Sequence, residues 1–233
     1  AYRRQRQMCI RDSAFTAQKQ FSANAAHELR TPLAVIQTNL EVFARRETPA
    51  LKDYQEIFSM LQEQTGRLSH LAEILLDMTG VQTVERSERI SLAALTDEIF
   101  CDLASIAEQK EVELIQQEGD CIITGSYLLL YRAVYNLVEN AIKYNHSGGK
   151  VTVNIHLSEE ITDTSTSVNY VFLEVSDTGI GIPPEYQEKI FAPFFRVDKS
   201  RSRAMGGAGL GLALVTEIAR QHGGQVKVLE SNE

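Results

Sequence analysis

Two stretches of helical periodicity, residues 14 to 46 and about 50 to 79, are separated only by Glu47-Thr48-Pro49, and this spacing constrains the fold more than any other feature of the chain. In the first stretch Phe21, Leu29, Leu33, Ile36, Leu40 and Phe43 recur at helical intervals; in the second Ile57, Leu61, Leu68, Leu71, Leu75 and Met78 do the same. A connection that short turns one helix back along the other. Pro49 suits the first turn of the second helix, with Thr48 as its N-cap. Gly66 is a weak point in that helix, about 1 kcal/mol worse than Ala. Each apolar stripe is broader than a single partner helix covers. The hairpin therefore predicts a homodimer with a four-helix bundle; the alternative is a monomer that folds the hairpin onto its other domain.

The first helix carries His27, Glu28 and Thr31 within about a turn and a half, followed by Pro32. A proline here removes the N–H that the carbonyl of Glu28 would accept and is expected to kink the helix one turn past the histidine. A local rule broken inside a regular helix points toward function. A lone histidine in such a place is nevertheless more often a solvated surface residue, so the remainder of the chain has to supply a chemistry for it.

Residues 1–13 are polar and basic and read as a leader or a membrane-proximal remnant; Met8-Cys-Ile-Arg-Asp-Ser13 leaves a non-native origin open. The hairpin domain then covers 14–80, a polar mixed-charge linker 81–90, and a second domain 91–233. A net charge of −8 argues against non-specific nucleic-acid binding. Cys9, Cys101 and Cys121 lack metal-ligand spacing and read as free thiols. No apolar run approaches the ~20 residues of a membrane span, so the chain reads as a cytoplasmic piece, anchored only through a segment outside it.

In the second domain Ser91 can cap a helix over 92–108. Short strands are expected near 112–116 and 121–124, a helix over 126–144, strands near 150–157 and 168–176 around a Ser/Thr-rich loop at 158–167, a short helix near 184–190, a helix over 209–222 and a strand over 225–229. His222 falls near a helix C-terminus, where a cation is favoured. This alternation predicts an α+β sandwich, one mixed sheet with helices on one face.

The helix 126–144 places Asn136, Asn140, Lys143 and Tyr144 on one face, with Leu130, Val134, Leu137, Val138 and Ala141 opposite. Amide oxygens ligate Mg2+, lysine neutralises phosphate and tyrosine offers a stacking surface; a plain solvated face is the competing reading. The strand Val171, Leu173, Val175 ends at Asp177-Thr-Gly179-Ile-Gly181, a carboxylate beside close-approach glycines. Phe191-Ala-Pro-Phe-Phe-Arg196 leads through Asp198, Lys199, Arg201 and Arg203 to Gly206-Gly207-Ala-Gly209-Leu210-Gly211, which opens the last helix. Glycine-rich backbone entering a helix N-terminus suits an anion, and the whole reads as a basic lid over polyphosphate.

His27-Glu-Leu-Arg-Thr-Pro32 resembles the H box of the sensor histidine kinases of two-component systems, Asn136-Leu-Val-Glu-Asn140-Ala-Ile-Lys143-Tyr144 their N box, and Asp177-Thr-Gly-Ile-Gly181, Phe191-Ala-Pro-Phe-Phe195 and Gly207-Ala-Gly-Leu-Gly211 their first glycine box, F box and second glycine box. These boxes stand in family order over residues 14 to 229. The resemblance implies a dimeric phosphoacceptor domain followed by a Bergerat-type ATP-binding domain. It makes His27 the nucleophile toward ATP, with Glu28 orienting it and Thr31 assisting dephosphorylation of the response regulator. Asn140 and then Asn136 would hold Mg2+. Lys143, Arg196 and the backbone of Gly207, Gly209, Leu210 and Gly211 would meet the phosphates, and Tyr144, Asp177, Gly179 and Gly181 the adenine. The phosphoryl group would pass to an aspartate of a receiver domain, and the full-length protein would sit in the bacterial inner membrane. It also implies one further strand beyond 225–229. Related ATPases carry a glutamate where this chain has Asn136, which favours kinase over simple ATPase; a degenerate kinase acting as a dimeric scaffold is the non-enzymatic alternative.

Overall fold

The computed structural model describes residues 2–80, 84–117, 119–161, 167–197 and 208–231. The chain divides into two compact units, Ala1–Asp77 and Met78–Glu233.

In the first unit, helix α1 runs Tyr2–Ala44 and helix α2 Leu51–Gly80. Helix α1 thus starts well ahead of the expected residue 14 and runs unbroken through Pro32. The predicted α2 stripe faces inward: Leu71 is buried, and Ile57, Leu61, Leu68, Leu75 and Met78 are half-buried. The α1 stripe divides instead. Phe21, Leu29, Ile36 and Phe43 are half-buried, whereas Leu33 and Leu40 are exposed. The cap of α2 is not Thr48. Asp53, in the first turn, reaches back to accept the Ala50 N–H at 2.8 Å, half of a capping box. The same carboxylate pairs with Arg46, and Phe43 meets Tyr54 edge-on at 5.1 Å. These contacts fix the turn locally, and Pro49 and Ala50 stay ahead of the first helical residue.

In the second unit the order is β1 (Glu88–Ser91), α3 (Leu92–Gln109), β2 (Glu113–Gln116), β3 (Ile122–Gly125), α4 (Tyr127–Lys143), β4 (Lys150–Ile161), β5 (Ser167–Asp177) and α5 (Gly211–Gln221). Ser91 caps α3 by accepting the Ala94 N–H, as expected from its sequence. Asp120 supports that end, accepting from Ser91 Oγ at 2.9 Å and Ala93 N at 3.0 Å. The Ala93 N–H foremost, with the Ser91 hydroxyl, holds its carboxyl below the ordinary aspartate value.

The strands form two ladders rather than one sheet: β1 pairs antiparallel with β3, and β2-β4-β5 has a parallel and an antiparallel junction. Strand β1 takes up the end of the segment read as linker. Two short 3-10 turns, Pro184–Tyr186 and Lys189–Phe191, replace the single short helix. Residues 225–229 keep their alternation, with Val226 and Val228 half-buried, but belong to no strand, because no described strand pairs with them. Their end is tied to the loop after β5 by the Ile182 N–H, which donates to Ser231 Oγ at 2.7 Å. Residues 162–166 of the expected Ser/Thr-rich loop lie outside the described residues.

The core joins Leu95, Ile99 and Leu103 of α3 to Val138 and Ile142 of α4 and to Val151 and Val153 of β4, all at 0% exposure. In α4 Val134 and Ala141 are buried as predicted, while Leu130 and Leu137 are half-buried. Helix α5 packs against α4 and buries Leu214 and Ile218.

Candidate functional site

His27 is exposed on α1. Its Nδ1 lies 4.0 Å from Glu28 Oε1, within ion-pair range but beyond a hydrogen bond. Thr31, one turn on, donates its hydroxyl to the His27 carbonyl at 3.2 Å. The helix face here forms a shallow hollow of about 490 Å³, lined by His27, Arg30, Thr31, Ala34, Val35, Thr38 and Asn39. The three expected H-box side chains therefore share one open, mixed polar and apolar stretch of a single helix.

The other expected residues belong to the second unit and fall into two groups. The first surrounds the junction of α4 and α5. Asn136 donates its amide N–H to the Arg132 carbonyl at 2.8 Å, which turns its oxygen the other way. That oxygen lies against Gly211, where an added Cβ would approach it to 2.4 Å. Gly211 opens α5, and Leu210 just before it is fully buried. Gly209 adopts φ +72° and stands so close to the backbone of Phe194 and Phe195 that a Cβ would meet the Phe195 carbonyl at 2.6 Å. The Phe194 N–H donates to the Gly209 carbonyl at 2.7 Å, and Phe194 itself has φ +64°, a strained setting for an aromatic residue. The F-box turn and the second glycine box thus form one backbone clasp at the entry to α5, with Arg196 half-buried directly after it. Gly207 and the basic residues Lys199, Arg201 and Arg203 lie outside the described residues.

The second group surrounds the C-terminal end of α4. Tyr144 is its C-cap, and its carbonyl accepts the Ile180 N–H at 3.2 Å. Gly179 sits so near that carbonyl that a Cβ would come to 2.5 Å. Asp177, at the end of β5, accepts the Gly179 N–H on Oδ1 at 2.8 Å, and Gly181 adopts φ +70°. Tyr144, Asp177 and Gly179 are thereby brought together. Half-buried Asn140 lies one turn before Tyr144, and its side-chain amide makes no hydrogen bond with the described residues. Lys143 is placed differently: it lines a hollow of about 280 Å³ on the α3 side with Ile106, Lys110 and Glu139, and its carbonyl accepts from Lys110 Nζ at 2.6 Å.

Sequence reasoning passed over Asn145 and read His222 only by its place at a helix end. Asn145 is buried at 9% exposure and bonds to three neighbours, the His146 N–H, the Lys150 carbonyl and the Thr178 hydroxyl. The signal available was an asparagine next to Gly148-Gly149, a turn composition. His222 accepts the Ser126 N–H on Nε2 at 3.1 Å. Its Nδ1 faces the Ile218 carbonyl at 2.8 Å, so both ring nitrogens are engaged by backbone groups. Gly125 leaves room for it, since a Cβ there would meet the ring at 2.8 Å.

Comparison with known proteins gives the same division. Residues 17–83 match the His Kinase A (phospho-acceptor) domain, and residues 125–233 match the histidine kinase-, DNA gyrase B- and HSP90-like ATPases. The chain is 35% identical to the sensor histidine kinase RppB of Synechocystis over 92% of its own length and 46% of that protein's. It is 33% identical to the sensor histidine kinase WalK of Bacillus subtilis over 89% of its own length and 34% of that protein's. It therefore spans about half or less of the length of these relatives. Among solved structures it shares the fold of the Acinetobacter baumannii histidine kinase AdeS (TM-score 0.60, 23% identity, 84% of this chain and 86% of that one). It also shares that of the histidine kinase ThkA, solved with the response regulator protein TrrA (TM-score 0.67, 20% identity, 92% of this chain and 58% of that one). The chain belongs to the sensor histidine kinases of two-component systems and carries their phosphoacceptor and ATP-binding domains.

Proposed function

We propose that the chain phosphorylates itself on His27 with ATP and then passes the phosphoryl group to an aspartate of a response regulator. The observation that carries this reading is the contrast between His27 and Asn136. An exposed imidazole stands on the phosphoacceptor helix, whereas the α4 position that would activate water in an ATPase holds an amide committed to the Arg132 carbonyl. Glu139, the nearest carboxylate in sequence to Asn140, lines the hollow on the α3 side. An amide cannot take a proton from water, so hydrolysis lacks a base and the γ-phosphoryl group is left for the histidine.

In this reading Nε2 of neutral His27 attacks the γ-phosphorus. A P–N bond forms, the bond to the β-phosphate oxygen breaks, and ADP leaves. The proton stays on Nδ1, the nitrogen that faces Glu28, and the carboxylate stabilises the imidazolium as charge develops. Asn140 suits Mg2+, because its half-buried amide has no hydrogen-bond partner among the described residues. Asn136 offers its oxygen as a second ligand. The metal would neutralise phosphate charge there. Asp177 accepts from the exocyclic amine of adenine, Tyr144 and the glycines Gly179 and Gly181 border the base, and Gly209 to Gly211 offer backbone to the triphosphate. Arg196 and Gly207 add phosphate contacts, and Lys143 joins them only by leaving the hollow it shares with Lys110 and Glu139.

Exposed Leu33, Leu40, Val42, Leu51 and Phe58 support a homodimer in which a second copy covers the hairpin. The hollow beside His27 is where a receiver domain would dock, and Thr31, with its proton on the His27 carbonyl, keeps lone pairs to accept from a water during phosphatase action. No described helix is long and apolar enough to cross a membrane; a membrane anchor would come from a longer protein, with this part on the cytoplasmic side.

Incubation with γ-labelled ATP and Mg2+ tests the reading. Label on the protein that is acid-labile, base-stable and absent in His27→Gln is the expected result. Free phosphate without labelled protein would make the chain an ATPase, and neither signal would make it a scaffold.

A further inference from the structure

We propose that Asn145 is a positioning residue for base recognition: its buried amide holds Thr178, and through it the neighbouring Asp177 carboxylate, in the orientation that reads the exocyclic amine of an adenine nucleotide. The inference rests on the reading of Asp177 given above.

Asp177 is exposed at the end of β5, and its carboxylate is held there on one oxygen by the Gly179 N–H at 2.8 Å, so its aim depends on how the Thr178-Gly179 backbone is fixed. Recognition by one hydrogen bond needs the acceptor held to within about 0.5 Å. The residues after α4 supply that restraint from two sides. On one side, the Tyr144 carbonyl accepts the Ile180 N–H, with Gly179 pressed against it. On the other, Asn145 closes a network around the Lys150 peptide. Its Nδ2 donates to the Lys150 carbonyl at 2.9 Å, and its Oδ1 accepts from the His146 N–H at 2.9 Å and the Thr178 hydroxyl at 3.0 Å. The Thr178 oxygen accepts the Lys150 N–H at 2.9 Å, so its own proton is free only for Asn145. The Thr178 N–H completes the ring on the Lys150 carbonyl at 3.2 Å.

Both ends of the amide meet backbone groups of fixed polarity, the Lys150 carbonyl and the His146 N–H, so Asn145 has one orientation. The space is equally committed. A Cβ on Gly149 would fall 2.2 Å from Asn145 Oδ1 and 2.7 Å from Thr178 Oγ1. An aspartate of the same shape cannot donate to the Lys150 carbonyl and would set two oxygens against each other. The chain therefore joins the end of α4 to the base-reading loop through one amide. A network used only for stability would have no reason to affect which nucleotide binds; one that aims Asp177 changes selectivity first.

The test compares binding of ATP and of purine riboside triphosphate, which lacks the 6-amino group, to the whole chain and its variants, with thermal melting followed alongside. In Asn145→Asp and Thr178→Val the preference for ATP should fall about tenfold, the value of one hydrogen bond to a charged group, while affinity for the purine analogue stays within about twofold. Thr178→Ser, which keeps the hydroxyl, should restore the preference. Equal loss of both nucleotides, or an unchanged preference, would overturn the positioning role. Asp177→Ala, which removes the acceptor, separates the two levels. If it keeps the preference, the assignment of Asp177 itself fails. If it loses the preference while both Asn145→Asp and Thr178→Val keep it, only the role of Asn145 fails. Should Asn145→Asp not fold, the Thr178→Val and Thr178→Ser pair, at an exposed position, decides the matter.

Discussion

The two compact units handle apolar surface in opposite ways. In the α/β unit Leu95, Ile99, Leu103, Val138, Ile142, Val151 and Val153 are all at 0% exposure, drawn from two helices and a strand. In the hairpin unit the buried apolar residues among those described are Leu71 and Ile74, while Leu51, Phe58 and Leu76 stand at 75%, 64% and 69% exposure. Burial of apolar area is the main driving force for both. The α/β unit has therefore completed its core within one chain, and the hairpin leaves large apolar side chains exposed. On the proposed function, nucleotide chemistry would lie in the body with the closed core and the phosphoacceptor on the body whose apolar surface a second copy covers.

The largest effect that would break this contrast is a cavity in the closed core. Leu95→Ala should destabilise the α/β unit by about 2–5 kcal/mol, read by denaturant unfolding. The hairpin's helical signal should be unchanged; unfolding of both units together would show that they are not independent. Next in size, Phe58→Glu or Leu40→Glu should weaken self-association at least about tenfold, the equivalent of ~1.4 kcal/mol, measured by sedimentation across concentration. The α/β unit should melt as before, and an unaltered dimer would place the interface elsewhere.

A smaller effect sharpens the account of the α3–α4 packing. Tyr127 donates its hydroxyl to Glu98, and this bond, with burial and the nearby carboxylates, pushes its pKa up to about 12. A raised folded value means that the contribution is fully present below the ordinary tyrosine range and is lost as pH rises through about 12. Tyrosinate absorbance should therefore show Tyr127 titrating late, and Glu98→Gln should bring it earlier. The smallest effect concerns the hairpin turn. The Ala50 N–H, and then Arg46, hold the Asp53 carboxyl below the ordinary aspartate value, so its contribution is present above that value and fades as pH falls through the lowered one. Asp53→Ala should lower the hairpin's melting temperature slightly at neutral pH and remove that part of its acid sensitivity.

Much of the fold was legible because it is written in local patterns. Ile57, Leu61, Leu68, Leu71, Leu75 and Met78 mark the inner face of α2 by period alone, and Ser91 marks the start of α3 by its hydroxyl. The H, N, glycine and F boxes could be found as strings of residues. The features missed are those that depend on a distant partner. Glu88–Ser91 is a strand because Ile90 meets Ile123 across the ladder, and four residues with one buried apolar side chain carry no signal of that. Val226 and Val228 alternate as a strand should, yet find no ladder among the described residues. Thr48 had the right chemistry for a cap, but Asp53 had the right position.

By itself the sequence determined the helical hairpin, most of the elements of the α/β unit and the family, because periodicity, capping and motif spacing are properties of neighbours along the chain. Tertiary structure alone decided how individual side chains are held. It turned Asn136 onto Arg132 and Gly211, set Lys143 beside Glu139, brought His222 to the Ser126 N–H, and tied Asn145 to Thr178, 33 residues away. The physical reason is that a buried polar group has to find its partner in space, and which partner it finds depends on strand register and helix packing that no local pattern contains.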